Sequence, residues 1–70
     1  MNENYQELCE GLCGLLKKTR YLPDLAEIRH EYEINGDRTA VCVFESGYKK
    51  RINVSSDSGF AMIKDILNNL

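Results

Sequence analysis

The sequence has little of what defines several common classes of protein. Only one proline and five glycines occur among its 70 residues, and no segment repeats another, which excludes a low-complexity chain. No apolar run approaches the roughly eighteen residues that a membrane-spanning helix requires. The first fifteen residues contain three glutamates, whereas a signal peptide needs an unbroken apolar run. We therefore expect a cytoplasmic protein that does not bind a membrane.

The chain also lacks the residues that most catalytic and metal sites use. It has a single histidine, and its three cysteines are an odd number that suggests no disulfide framework. Cys9 and Cys13 share a helical face, but no second pair of ligands follows, so we expect no metal and no cofactor. His30 alternates with apolar residues and has no nucleophile motif near it. We therefore expect no enzymatic activity and no small-molecule substrate.

An excess of positive charge is missing as well. Nine lysines and arginines stand against eleven acidic residues, and the net charge of −2 argues against a dedicated polyanion binder. The length predicts one domain, residues 1–70, which buries only about 60% of the surface that its unfolded chain exposes. Because self-association stabilises such a small domain, we expect a homodimer.

Two segments have the apolar spacing of amphipathic helices. In the first, the apolar side chains fall within about 160° of arc, Asn4 and Glu7 resemble a capping box, and Lys17 and Lys18 lie near the end. Its apolar residues are Tyr5, Leu8, Cys9, Leu12, Cys13, Leu15 and Leu16. The second segment follows cap-forming residues 55–59. Its apolar stripe contains Phe60, Met62, Ile63, Ile66, Leu67 and Leu70.

Between the helices the apolar period is two. Strands are predicted from Ile28 to Ile34, from Arg38 to Glu45 and from Tyr48 to Val54. Asn35-Gly36 predicts a type I′ turn, and Ser46-Gly47 predicts a second two-residue turn. The predicted fold class is therefore α+β, in the order helix, three-stranded antiparallel meander, helix (αβββα), with both helices on one sheet face.

Two-residue turns fix the strand register and hence the residues that share a face. The predicted core face contains Ile28, His30, Tyr32, Ile34, Thr39, Val41, Val43, Tyr48, Ile52 and Val54. The predicted outer face contains Arg29, Glu31, Glu33, Arg38, Ala40, Cys42, Phe44, Lys49, Arg51 and Asn53. Glu33 is expected directly across from Arg38 on this outer face.

The predicted outer face has an apolar centre, Cys42 and Phe44, and a charged rim. A nucleic-acid base can stack on an aromatic ring while cations hold its phosphates. The residues expected to bind in this way are Arg29, Arg38, Phe44, Lys49 and Arg51. Alternatively, a second subunit covers the apolar centre.

The end of the chain resembles the final strand and helix of the positive cofactor four family. The matching segments are Tyr48-Lys49-Lys50-Arg51-Ile52-Asn53-Val54, then Ser55 and Ser56, then Phe60-Ala61-Met62-Ile63-Lys64-Asp65-Ile66-Leu67. The resemblance covers residues 26–70 and implies a small antiparallel sheet joined to a helix, a dimer, and binding of single-stranded DNA. The preceding helix and the acidic balance depart from the family pattern.

The complete order of elements is also similar to the double-stranded RNA-binding domain. That domain begins its last helix with a lysine cluster, whereas this chain has Ser56-Asp57-Ser58-Gly59 there. Small acidic anti-CRISPR proteins encoded by phages have similar architectures, which is an analogy of fold alone.

The sequence thus predicts a non-enzymatic, dimeric binding module that contacts single-stranded nucleic acid through its outer sheet face. The alternative is an acidic protein-binding regulator or inhibitor of phage or mobile-element origin, similar to anti-CRISPR proteins, which uses acidic residues such as Glu31 and Glu33. Salt separates the two hypotheses, because nucleic-acid affinity falls steeply as salt is added.

Overall fold

Two helices cover one face of a three-stranded sheet. The structure, a computed structural model, describes residues 4–70. Its elements are α1 (Tyr5–Lys18), β1 (Leu25–Tyr32), β2 (Arg38–Phe44), β3 (Lys49–Asn53) and α2 (Gly59–Asn69). The strands are antiparallel in the order β1-β2-β3. The predicted αβββα fold is confirmed, and within residues 4–70 no helix has the length and apolar character needed to cross a membrane.

Both helices begin at the caps that the sequence predicts. The Asn4 side-chain oxygen accepts a hydrogen bond from the Glu7 backbone amide at 3.0 Å. The Asn4 side-chain nitrogen, Nδ2, donates to the Glu7 carboxylate at 3.3 Å. The Ser58 hydroxyl accepts from the Ala61 amide at 3.2 Å. Each side chain satisfies an amide that has no partner within its helix. The serine cluster before α2 therefore caps the helix.

The core lies between the helices and one face of the sheet. Cys9, Leu12, Cys13 and Leu16 of α1 and Met62 and Ile66 of α2 pack with sheet residues in one buried cluster. The sheet residues of this cluster are Leu25, Ile28, Ala40, Cys42, Ile52 and Val54. Since both helices contribute, one sheet face is covered and the other is not.

Both hairpin loops contain three residues rather than the predicted two. At the first, the Glu33 amide donates to the Asp37 carbonyl at 2.7 Å, which leaves residues 34–36 as the loop. At the second, the Phe44 amide donates to the Tyr48 carbonyl at 2.9 Å, which leaves residues 45–47. Each loop therefore begins one residue earlier than predicted.

Glycine explains the geometry of these loops. Gly36 and Gly47 end their loops with φ angles of 92° and 93°, in the left-handed region where glycine avoids a steric penalty. Asn35 has no positive φ, so the predicted type I′ turn is wrong. A left-handed residue at the last position is typical of three-residue hairpin loops.

Because both loops start one residue earlier than predicted, β2 turns each of its residues to the face opposite to the predicted one, whereas β3 keeps its predicted orientation. Ile28 pairs with Cys42, and Ala40 pairs with Ile52, so these three residues share the helix side of the sheet. The first one-residue shift turns β2 over, and the second turns β3 back. The outer sheet face therefore contains Glu27, Arg29, Glu31, Thr39, Val41, Val43, Lys49, Arg51 and Asn53.

Several burial predictions fail with this register. Thr39, Val41 and Val43 lie on the outer sheet face, whereas they were expected in the core, and Arg38, Ala40, Cys42 and Phe44 lie on the helix side. Tyr32, Ile34 and Tyr48 are exposed. Tyr32 ends β1, Ile34 lies in the first hairpin loop and Tyr48 directly precedes β3, so all three lie beyond the reach of the helices.

Side chains of α1 cover the free edge of β1. The His30 amide donates to the Gln6 side-chain oxygen at 2.8 Å. The Cys13 side chain lies beside the Ile28 backbone in the crevice between α1 and β1. Because β1 has no neighbouring strand on this side, these side chains take the place of a strand partner.

Candidate functional site

The five predicted binding residues do not share one surface. Arg29, Lys49 and Arg51 lie on the outer sheet face as predicted. Arg38 pairs with Tyr32 rather than with Glu33, and both Arg38 and Phe44 lie on the helix side because β2 is reversed. Their predicted position on the outer sheet face is therefore wrong.

Acidic side chains of β1 and of Glu33, the residue after β1, contact the two arginines of the outer sheet face. Arg29 lies 3.4 Å from Glu31 and 4.0 Å from Glu27. Arg51 lies 3.5 Å from Glu31 and 3.8 Å from Glu33. Exposed pairs of this kind add only about 0–1 kcal/mol each. They nevertheless occupy the guanidinium groups that would have to face phosphates.

The outer sheet face also lacks the predicted exposed apolar centre. Val41 lies between Arg29 and Arg51 in the strand register and is fully buried, although no helix covers this face. The aliphatic stems of long charged side chains cover apolar surface in this way. A dimer interface centred on Cys42 and Phe44 of this face is therefore excluded.

Arg38 is a buried structural residue. Its guanidinium donates to His30 Nε2 at 3.0 Å and to the Asp57 carbonyl at 2.6 Å, and it lies 3.7 Å from the centre of the Tyr5 ring. No carboxylate of residues 4–70 forms an ion pair with it. Neutral acceptors and an aromatic face therefore hold its charge, and they tie together α1, β1, β2 and the segment before α2.

His30 is held neutral by this arrangement. Its Nε2 accepts the hydrogen bond from Arg38, so the proton of the neutral ring is on Nδ1. Burial, and then the positive charge of Arg38, lowers the pKa of His30 below its usual 6.5. The Tyr5 ring stacks on the imidazole with the ring centres 5.0 Å apart.

This contact predicts a dependence of stability on pH. The unfolded chain protonates His30 near pH 6.5, whereas the folded chain resists protonation, so the stabilisation is full above that pH. It is lost as the pH falls through the lower folded pKa. We expect the urea midpoint of the wild type to fall between about pH 7 and pH 5. His30→Gln, which does not titrate, should flatten this dependence, and an unchanged pH profile in that variant would contradict the assignment to His30.

The three cysteines are core residues without a reactive role. All three are free and buried. Burial raises the pKa of Cys9 and of Cys42 to about 11, and it also raises the pKa of Cys13. The thiols therefore stay protonated at neutral pH, and the protonated form is a poor nucleophile. Among residues 4–70, no three His, Cys, Asp or Glu side chains are arranged to hold a metal ion.

An apolar groove lies between the two helices on their solvent side. It has a volume of about 480 Å³ and is lined by Glu7, Leu8, Gly11, Leu12, Leu15 and Ile63. Leu15 is 62% exposed beside it, and Phe60, which shares the α2 stripe with Ile63, is 73% exposed. We call the surface formed by Leu8, Gly11, Leu12, Leu15, Phe60, Ile63 and Leu67 the helix face.

The sequence prediction assigned the apolar residues of the helix face to the core. Leu8 and Leu15 lie at one end of the 160° apolar arc of α1, and Phe60 and Leu67 lie at one side of the stripe of α2. A sheet of three strands covers the middle of each stripe and leaves these ends in solvent. The width of the two arcs was the signal that could have identified them.

Comparison of the chain with protein-family models, with curated proteins and with solved structures finds no match. The resemblance to the positive cofactor four family therefore stays a prediction.

Proposed function

We propose that this chain is a non-enzymatic protein-binding module whose contact surface is the helix face. The supporting observation is the exposure of Leu15, which lines an apolar groove, and of Phe60, which lies on the same α2 stripe as the groove residue Ile63. Contiguous apolar patches of this kind mark interaction sites, and an apolar centre with a polar rim is the usual anatomy of a protein interface.

The sequence predicts a protein-binding regulator as the alternative, with Glu31 and Glu33 as contacts. The proposal keeps protein binding but places the contact surface on the helix face. Glu31 and Glu33 are engaged by Arg51 on the outer sheet face, so they are poor primary contacts for a target. An inhibitor of phage or mobile-element origin remains compatible with a small binding module. A cytoplasmic location is part of the proposal, because three free cysteines suit a reducing compartment.

Photo-crosslinking in cells tests the helix face. A photoactivatable phenylalanine analogue replaces Leu15 in one variant and Tyr48 in another, and the two positions are 62% and 61% exposed. We expect discrete crosslinked protein products from position 15 and none from position 48. Equal products from both positions, or none from position 15, would remove the helix face as the contact surface.

Single-stranded nucleic acid is the second candidate partner. The observation that favours it is the shared position of Arg29, Lys49 and Arg51 on the outer sheet face. If these cations contact phosphates, each contact contributes about −0.7 to the slope of log affinity against log salt on single strands.

The test is fluorescence anisotropy with short labelled DNA and RNA strands. Under this hypothesis Lys49→Glu should weaken binding and flatten the salt slope, whereas Lys18→Glu, the same charge change at the end of α1, should leave the slope unchanged. If the wild type does not bind either strand at low salt, the nucleic-acid hypothesis fails.

A further inference from the structure

We infer that the partner on the helix face is a second copy of this chain, related to the first by a two-fold axis. The inference rests on the proposed function, because it names the occupant of the same surface. A two-fold interface places the same patch on both sides, so that patch must be complementary to itself in shape and charge.

The shape of the helix face meets this requirement, since it contains both a depression and projecting side chains. A Cβ added at Gly11 would meet no atom within 4 Å, so the backbone of α1 is open to a close approach there. Leu15 lines the same groove and is exposed, and Phe60 is exposed on the α2 stripe that contributes Ile63 to the groove. Two-fold packing lets the projecting side chains of each copy enter the groove of the other.

Gly11 also has an energetic cost that an interface explains. A glycine inside a helix destabilises it by about 1 kcal/mol relative to alanine. Nothing within the chain fills the space above Gly11, so internal packing does not require a glycine at this position. Close approach of a second helix favours a glycine, because a side chain would hold the two backbones apart. Gly14 has the same open space, but Gly11 is the glycine that lines the groove.

The charges of the helix face are balanced. Glu7 lines the groove, and Lys64 of α2 lies with its ammonium 5.8 Å from the centre of the Phe60 ring. Groups of both signs border the apolar residues, so the surface does not carry the single-sign charge that would repel a second copy. A strongly acidic or strongly basic partner would gain little from this surface.

The dimensions of the molecule also fit an interface with a second copy. A standard interface hides about 800 Å² of each partner. The molecule measures 32 × 24 × 18 Å, so a broad face can supply a footprint of that order. The other broad face is the outer sheet face, whose exposed groups are mainly charged and paired to one another. The helix face is therefore the apolar surface that a second copy would bury.

Sedimentation velocity of the full chain at several concentrations tests the inference. We expect the wild type to approach twice its 8.0 kDa as concentration rises. Gly11→Leu fills the depression and should weaken self-association by about tenfold or more. Leu15→Glu should weaken it similarly, because it places a charge in the apolar centre.

Gly14→Leu is the matched control. Gly14 lies on the same helix, is exposed, and has nothing within 4 Å of an added Cβ, but it borders the crevice between α1 and β1 rather than the groove. Both leucine variants should fold at least as well as the wild type, since leucine favours a helix over glycine. Thermal melts by circular dichroism check this.

Two results overturn the inference. One is a wild type that stays at 8.0 kDa at all concentrations, and the other is an equal loss of association in Gly11→Leu and Gly14→Leu. If the wild type is monomeric but position 15 crosslinks to a different protein, the proposed function stands and only the second copy is wrong. If position 15 crosslinks to nothing, the proposed function fails as well.

Discussion

Arg38→Ala is expected to lower the free energy of unfolding by about 3 kcal/mol or more, because it leaves buried acceptors without a donor. His30 Nε2 and the Asp57 carbonyl lose their hydrogen bonds, and the Tyr5 ring loses the cation on its face. A 70-residue domain has only roughly 4–10 kcal/mol of stability, so the loss is a large fraction of the total. Urea denaturation followed by circular dichroism measures it.

The matched control is Arg51→Ala on the outer sheet face. Arg51 contacts two acidic side chains, but its own side chain is 58% exposed. We therefore expect Arg51→Ala to lower the free energy of unfolding by less than about 1 kcal/mol. Arg38→Lys should fall between the two, because it keeps the charge and loses the planar fork of donors. If Arg38→Ala and Arg51→Ala had equal effects, the structural role assigned to Arg38 would be wrong.

Cys42→Asp should unfold the domain, whereas Val43→Asp should cost about 1 kcal/mol. The reason is the register of β2, which directs Cys42 into the core between α1 and the sheet and Val43 to the outer sheet face. A buried carboxylate without a partner loses its hydration. A carboxylate at position 43, which is only half-buried, keeps part of its hydration and lies between Lys49 on one neighbouring strand and Glu27 on the other.

Thermal melts of the two variants decide between the registers. Two-residue loops would direct Val43 into the core and Cys42 outward, so they predict the opposite order of stabilities. A folded Cys42→Asp variant and an unfolded Val43→Asp variant would contradict the register described above.

The order of elements was predictable because the spacing of apolar residues, the helix caps and the turn glycines indicate the same helices and strands along most of the chain. The register of β2 was not, since this strand is apolar on both faces: Ala40 and Cys42 alternate with Val41 and Val43. Alternation of polarity cannot orient such a strand. Gly36 and Gly47 fit both a two-residue and a three-residue loop, so the turn chemistry does not choose between them.

The candidate site was harder to predict than the fold. Arg38 has the same sequence pattern as a solvated arginine of a strand, and the groups that hold it come from three other parts of the chain. Only the assembled structure brings them together. The helix face was mistaken for core because periodicity counts apolar residues on a helix and does not measure how wide a surface the sheet covers.

The hydrogen bond from the His30 amide to Gln6, at the free edge of β1, has a consequence for aggregation. An uncovered edge strand invites pairing with a strand of another molecule, which is the route into cross-β assemblies. The opposite edge is the short strand β3, whose sequence Lys49-Lys50-Arg51 supplies positive charges that repel another copy. The longer β1 depends instead on α1, so fraying of that helix would expose a row of amides and carbonyls to a neighbour. The helix thus protects the edge of β1 from amyloid-like stacking. Its N-terminal half, which carries Gln6, is the part whose order matters most for preventing aggregation.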